Sequence, residues 1–365
     1  MRHQRCLQHA LRGLAVSAGA AAIALVVAAC TVNGSPATHG AVTPAPLRPT
    51  APSSSPLALG VFEPGEWTSY QPVEKFAAET GRSPSIVLIY SGWREPFQAG
   101  FAATVNAHHA EPFVQLEPTG ASLAAIAAGK YDGYLTTYAG QVRAFGHPVI
   151  LSFAAEMNGS WYAWGYGHTP AQQFVAAWRH VVNVFRARGA RNVTWLWTVN
   201  TITEPSAPLQ QWWPGASYVD WVGIDGYFFR AEDTFASVFG ATITQVRALT
   251  SDPILVGETA VGPVAGAAKI AGLFAGARAA HLAGLVWFDQ ARHDGLYHQD
   301  WRLADSPARL AAFRNAAKTL LPERALVPRP PPHSPRMAGR SGARAAPRPT
   351  GVRGVTSCSW FVTGC

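Results

Sequence analysis

Eight short apolar runs recur between Leu57 and Leu321, and their rhythm limits the folds open to this chain more than any other feature. They lie at Leu57–Phe62, Ile86–Tyr90, Pro112–Leu116, Val149–Ala155, Val193–Val199, Tyr218–Ile224, Ile254–Gly257 and Leu282–Phe288. The runs are nearly continuous rather than alternating, as expected of parallel strands covered on both faces. Helical patterns fall between them at Ala171–Arg188, Phe235–Leu249 and Ala265–Ala280, and Asp305–Leu320 closes the series with Asp305 at a plausible N-cap. Eight βα repeats in about 265 residues predict an α/β fold in the form of a single (β/α)₈ TIM barrel over residues 57–321. That segment holds no cysteine, so its core must stand without disulfides.

The two ends have a different character. Arg2, Arg5 and Arg12 precede an apolar stretch from Leu14 to Val27, and Val27-Ala28-Ala29 then leads into Cys30. This resembles a bacterial lipoprotein signal over residues 1–30, which implies a lipid on Cys30 and a membrane as partner. The alternatives are an ordinary secretory leader or a single membrane span, for which the apolar stretch is short. Residues 31–56, rich in Pro, Ser, Thr and Ala, read as a flexible tether. Residues 322–365 read as a disordered basic tail, with seven Arg against one Glu and a Pro-Pro-Pro run. Cys358 and Cys365 can close a small disulfide loop in an oxidising compartment, though nothing in the sequence requires it.

The charge sits in these ends. The whole chain carries +8, but once the tail and the three leader arginines are set aside, residues 31–321 carry −1. Nucleic-acid binding by the barrel thereby loses its main support. The first run continues as Gly-Val-Phe-Glu-Pro-Gly, without the glycine-rich fingerprint of a dinucleotide site. The His108-His109 pair has no carboxylate or cysteine at metal spacing, so neither metal nor cofactor is expected.

Chemistry in such barrels collects at the C-terminal strand ends. The fourth run ends in Glu156, followed by Asn158, Trp161, Tyr162 and Trp164; the seventh ends in Gly-Glu-Thr, with Glu258. Two strand-end glutamates with aromatic neighbours suit a glycosidase dyad, because a carboxyl can give or take a proton and indoles stack on sugar faces. Glu117, Asn200, Asp225 and Asp289 also fall at run ends. Of these, Glu117 and Asn200 are candidates to line a sugar cleft, and Asp289 suits either a sugar hydroxyl or a rim salt bridge. Trp195 and Trp197 lie two apart inside one run, so packing is the expectation for at least one of them.

Glu-Met-Asn-Gly-x-Trp-Tyr-x-Trp after the fourth run, Gly-Glu-Thr after the seventh and Val-Gly-Ile-Asp-Gly-Tyr at the sixth together resemble glycoside hydrolase family 26. The resemblance implies a retaining glycosidase acting on a polysaccharide, with β-1,4-mannan the default, no cofactor, and action as a monomer. It implies that Glu156 is the acid/base, Glu258 the nucleophile and Tyr227 the residue that orients it, with Asp225 in the same motif. It further implies that Trp161 shapes a sugar subsite and that Trp287 is the platform under the reacting sugar; Trp164 and Asn158, close to Trp161 in the same motif, are further candidates to bind substrate. Two positions depart from the family pattern: Ala155 stands where a histidine is usual, and Ser152 where an arginine is common. These departures leave open a different β-glucan or exopolysaccharide, or a carbohydrate-binding lipoprotein without turnover.

Overall fold

A computed structural model describes residues 57–65, 68–202, 208–291 and 299–320. The expected leader with Cys30, the tether and the basic tail lie outside the described residues. Eight parallel strands close into a barrel in sequence order, β1 pairing with β8. The strands are β1 (Ala58–Phe62), β2 (Ile86–Gly92), β3 (Glu111–Glu117), β4 (Val149–Phe153), β5 (Val193–Asn200), β6 (Trp221–Asp225), β7 (Ile254–Thr259) and β8 (Gly284–Phe288). Around them run α1 (Gln71–Thr80), α2 (Ala99–Ala107), α3 (Leu123–Ala127), α4 (Asp132–Phe145), α5 (Ala171–Ala187), α6 (Phe235–Leu249), α7 (Ala268–Ala279) and α8 (Pro307–Ala317).

The continuous apolar character of the strands follows from two separate cores. Inside the barrel, Ile86, Leu88, Phe113, Ile150, Leu196, Trp221, Leu255 and Val286 fill the lumen. Between barrel and helices, the alternate strand residues meet the apolar stripes of the helices. In α5, for example, Phe174, Ala177, Trp178, Val181, Val182 and Phe185 recur at the spacing of one helical face. Trp195 and Trp197 both point to this outer layer, against Phe185 and Trp213 respectively. Both are therefore packing residues.

Several boundaries differ from expectation: β6 begins at Trp221 rather than Tyr218, β8 at Gly284 rather than Leu282, α7 at Ala268 rather than Ala265, and β2 and β7 each run two residues further. Two more differ for local reasons. The N-cap of α8 is Ser306 rather than Asp305: the Ser306 hydroxyl accepts from the Arg309 N–H, with Pro307 at the first helical position. The fourth strand stops at Phe153 instead of running to Ala155, because Ala154 and Glu156 take positive φ of 50° and 56°. Left-handed backbone at two non-glycine residues breaks the ladder and turns the chain across the barrel mouth.

Candidate active site

The strand pleat decides which polar residues enter the barrel. Tyr90 follows Leu88 on the inward face of β2, Gln115 and Glu117 follow Phe113 on β3, and Thr198 and Asn200 follow Leu196 on β5. Asp225 takes the same face of β6. On β7 simple alternation from Leu255 would bring Gly257 inward and send Glu258 out. A bulge prevents this: Ile224 pairs with Val256 but Asp225 pairs with Glu258. The extra residue rotates Glu258 into the lumen. Gly257 is required beside it, since a Cβ there would lie 2.6 Å from Asp225 Oδ1.

Glu258 is 8% exposed and fully engaged. Its Oε1 accepts from the Tyr90 hydroxyl at 2.5 Å and from Gln115 Nε2 at 3.0 Å, and its Oε2 accepts from the Tyr227 hydroxyl at 2.7 Å. Burial raises its pKa, and the three hydrogen bonds oppose the rise by favouring the charged form. Glu156 stands across the mouth, with Oε1 accepting from Asn200 Nδ2 at 2.5 Å and Oε2 from Trp161 Nε1 at 2.9 Å. Its pKa is raised to about 8, chiefly by burial and then by the charge of Glu258, against the two donors. Asp225 lies wholly buried beneath them, and burial, followed by Glu258 and Glu156, pushes its carboxyl well above the usual range. Three carboxyls in one largely buried lumen resist ionising together. Glu258, with three donors, is best equipped to carry the charge, and Glu156 then keeps its proton near neutrality.

The partly exposed rim of this lumen comprises Phe62, Tyr90, Glu117, Glu156, Trp161, Tyr162, Asn200, Tyr227 and Phe288. Of the residues singled out in the sequence, Glu156, Glu258, Tyr227, Asp225, Asn200, Glu117 and Trp161 thus converge on one mouth. Four others have different roles. Asn158 is buried and braces Asn200, donating to its carbonyl and accepting from its N–H, both at 2.8 Å. Trp164 is only 4% exposed, stacks on Tyr162 with centroids 4.2 Å apart, and donates to the Ala155 carbonyl. It supports the rim from behind and presents no face to the cleft.

Trp287 is the clearest correction, at 0% exposed, packed on Phe313 and donating to the Trp301 carbonyl. Val286 faces inward, so Trp287 faces out and Phe288 faces in. The aromatic floor at this strand is Phe288, which stacks on Phe62 with centroids 4.6 Å apart and meets Tyr227 edge-on. Asp289 is buried, and its Oδ1 accepts from the Leu303 N–H, which fixes a loop. Tyr90, Gln115 and Phe288 were not singled out from the sequence. For Tyr90 and Gln115 the available signal was a polar residue in an apolar run, on the same face as its lumen-filling neighbours; Phe288 carried no such signal.

The model of glycosyl hydrolase family 26 matches residues 86–304, which carry every strand except β1. Endoglucanase H of Acetivibrio thermocellus is 30% identical over 275 residues, covering 69% of this chain and 30% of that protein. Beta-1,3-xylanase TXYA of a Vibrio species is 34% identical over 111 residues, covering 30% of this chain and 22% of its own length. The chain therefore spans less than a third of either relative. Among solved structures, a modular endo-β-1,4-mannanase from Cellulomonas fimi superposes with a TM-score of 0.63 at 16% identity, covering 78% of this chain and 76% of that one. At that identity the superposition speaks for the barrel alone. The family match spans the strands that carry both glutamates, and this chain belongs to glycosyl hydrolase family 26.

Proposed function

We propose that this chain is an endo-acting, retaining hydrolase of a β-1,4-linked polysaccharide, with mannan the default backbone. The observation that carries the reading is the opposed pair: a buried Glu258 held by three donors, and Glu156 with its pKa raised to about 8. Ionised Glu258 attacks the anomeric carbon while protonated Glu156 gives its proton to the leaving oxygen. Glu156 then takes a proton from the water that breaks the glycosyl-enzyme, and both carboxyls return to their starting states. Trp161, Tyr162 and Phe288 supply apolar faces for the sugar rings.

A second substrate reading, β-glucan, is favoured by Ala155 and Ser152. Neither offers the polar reach of the usual His and Arg, and Ser152 turns its hydroxyl to Thr198 at 2.8 Å. The similarity to endoglucanase H points the same way. The test is reducing-end release from mannan, glucomannan, mixed-linkage β-glucan, carboxymethylcellulose and β-1,3-xylan, with the anomer of the first product followed by NMR. The proposal expects endo cleavage of a β-linked backbone, retention, and loss of turnover in Glu258→Ala. Inversion refutes the mechanism. Binding without release from any polymer favours a non-catalytic carbohydrate-binding protein. We also propose that Cys30 carries a lipid holding the enzyme at the membrane surface; the support is the Arg-rich leader and the small residues before Cys30. Labelled palmitate incorporated into the full chain but not into Cys30→Ala is the expected result.

A further inference from the structure

The three donors on Glu258 are distributed unequally. Among the described residues, Oε1 receives two, from Tyr90 and Gln115, whereas Oε2 receives one, from Tyr227. A carboxylate oxygen has two in-plane lone pairs, so Oε1 has both occupied and Oε2 keeps one free. We infer that Oε2 is the attacking oxygen and Oε1 the carbonyl oxygen of the glycosyl-enzyme, and that Tyr90 and Gln115 are positioning residues acting chiefly on breakdown of that intermediate. The inference rests on the retaining reading above.

The placement of both donors supports it. Tyr90 sits edge-on against Phe62 with ring centroids 5.2 Å apart, and Phe62 stacks in turn on Phe288, so packing aims the hydroxyl. Gln115 is 3% exposed, and its amide faces Asp225 as well as Glu258, which fixes its nitrogen toward the acids. Ser152, on the neighbouring strand, is turned away to Thr198. Among the described residues, every hydrogen bond on the nucleophile comes from a neutral group.

The chemistry assigns the step. In the first half-reaction an Oε2 lone pair forms the bond to the anomeric carbon. The bond to the leaving oxygen breaks toward that oxygen, which takes the proton of Glu156. In the second, water bonds to the anomeric carbon and gives its proton to Glu156, and the C–Oε2 pair returns to Glu258. Charge on Oε1 is high in the free carboxylate, low in the ester, and high again in the oxocarbenium-like transition states. Donors on Oε1 thus stabilise both transition states relative to the ester, but hardly relative to the starting carboxylate. Removing one slows deglycosylation and leaves glycosylation nearly unchanged.

Tyr90→Phe keeps the ring and removes the hydroxyl. The probes are 2,4-dinitrophenyl β-mannobioside and β-cellobioside, whose leaving group needs little acid help. For the variant, stopped flow is expected to give a burst of about one dinitrophenolate per enzyme, then a steady rate about ten- to a hundred-fold below the parent. KM falls by a similar factor, so kcat/KM moves by less than about three-fold. A drop in kcat/KM matching that in kcat, with KM unchanged or raised and no burst, overturns the inference, as does an unaltered kcat. Gln115→Met is expected to give the same signature and carries the test if Tyr90→Phe does not fold. If the parent enzyme releases dinitrophenolate from neither probe, the hydrolase reading fails and the inference falls with it. A parent that turns over beside variants without the signature sinks the inference alone.

Discussion

Replacing Glu156 by Gln should make the protein more stable as well as inactive, and the gain should grow with pH. The Glu156 carboxyl has a folded-state pKa of about 8 against an ordinary value of 4.5. Below about 4.5 it is protonated in both folded and unfolded chains and contributes no pH-linked penalty. Between the two values the unfolded chain sheds the proton and the folded one keeps it, so stability declines as pH rises, and the decline ends above about 8. A gap of about 3.5 units at about 1.36 kcal/mol each sets a ceiling near 5 kcal/mol. The side chain is partly exposed at the cleft mouth, and solvent screening reduces the expected loss to about 2–3 kcal/mol. Gln keeps the shape and cannot ionise. The assay is urea unfolding of parent and Glu156→Gln at pH 5 and pH 9. The difference between the proteins at pH 5 absorbs any altered hydrogen bonding to Asn200 and Trp161, and only its growth between the two pH values reports the ionisation. An advantage for the variant that is larger by about 2–3 kcal/mol at pH 9 is expected. A difference that is the same at both pH values, or that shrinks, would show that Glu156 is not held neutral, and the acid role would lose its physical basis.

The same pKa places the alkaline limb of kcat/KM near pH 8, because activity needs protonated Glu156 and is lost as the carboxyl ionises. Asn158→Ala severs both contacts with Asn200 and should cost about 1–3 kcal/mol in unfolding measurements. It should also move that limb to higher pH, since Asn200 favours the charged form of Glu156. Phe288→Ala should raise KM for oligosaccharides about ten-fold, while Trp287→Phe lowers the melting temperature and leaves KM unchanged. The reverse pattern would return Trp287 to the cleft.

The barrel was legible because each strand is buried on both faces, and lumen and outer layer are each filled by every second residue. Glu156 and Glu258 were legible for the opposite reason. A carboxyl at the end of an apolar run faces a large desolvation cost, which points to chemistry. What stayed hidden depends on strand phase. Whether Trp287 or Phe288 faces inward is a one-residue question, and an aromatic pair answers it only when the pleat is known. The inward turn of Glu258 relies on a bulge in β7 between Val256 and Glu258 that no residue type announces, although Gly257 is its trace. Tyr90 and Gln115 stayed hidden because a polar side chain in an apolar run says nothing of its partner in another strand. Only a barrel brings β2 and β3 across to β7.

The least expected support belongs to Trp164. Ala154 and Glu156 hold left-handed backbone, which costs non-glycine residues about 1–2 kcal/mol each. The surroundings must therefore overdetermine the turn. The Ala154 N–H donates to the Leu116 carbonyl at 3.1 Å and the Glu156 N–H to the Thr198 carbonyl at 3.0 Å, tying the chain to β3 and β5. Between them the Ala155 carbonyl accepts from Trp164 Nε1 at 2.8 Å. Trp164→Phe keeps a ring stacked on Tyr162 and deletes that one bond. Stability should fall by about 1–3 kcal/mol, because the buried Ala155 carbonyl loses its donor. Catalysis should suffer as well, because a shift of about 1 Å in Glu156 can cost up to a hundred-fold in kcat. KM should stay constant, since a ring that is 4% exposed gives the sugar no surface. Steady-state kinetics on an oligosaccharide, set beside a urea titration, separates the cases. A several-fold rise in KM at constant kcat would mean that the ring touches substrate, and that the turn holds Glu156 in place without it.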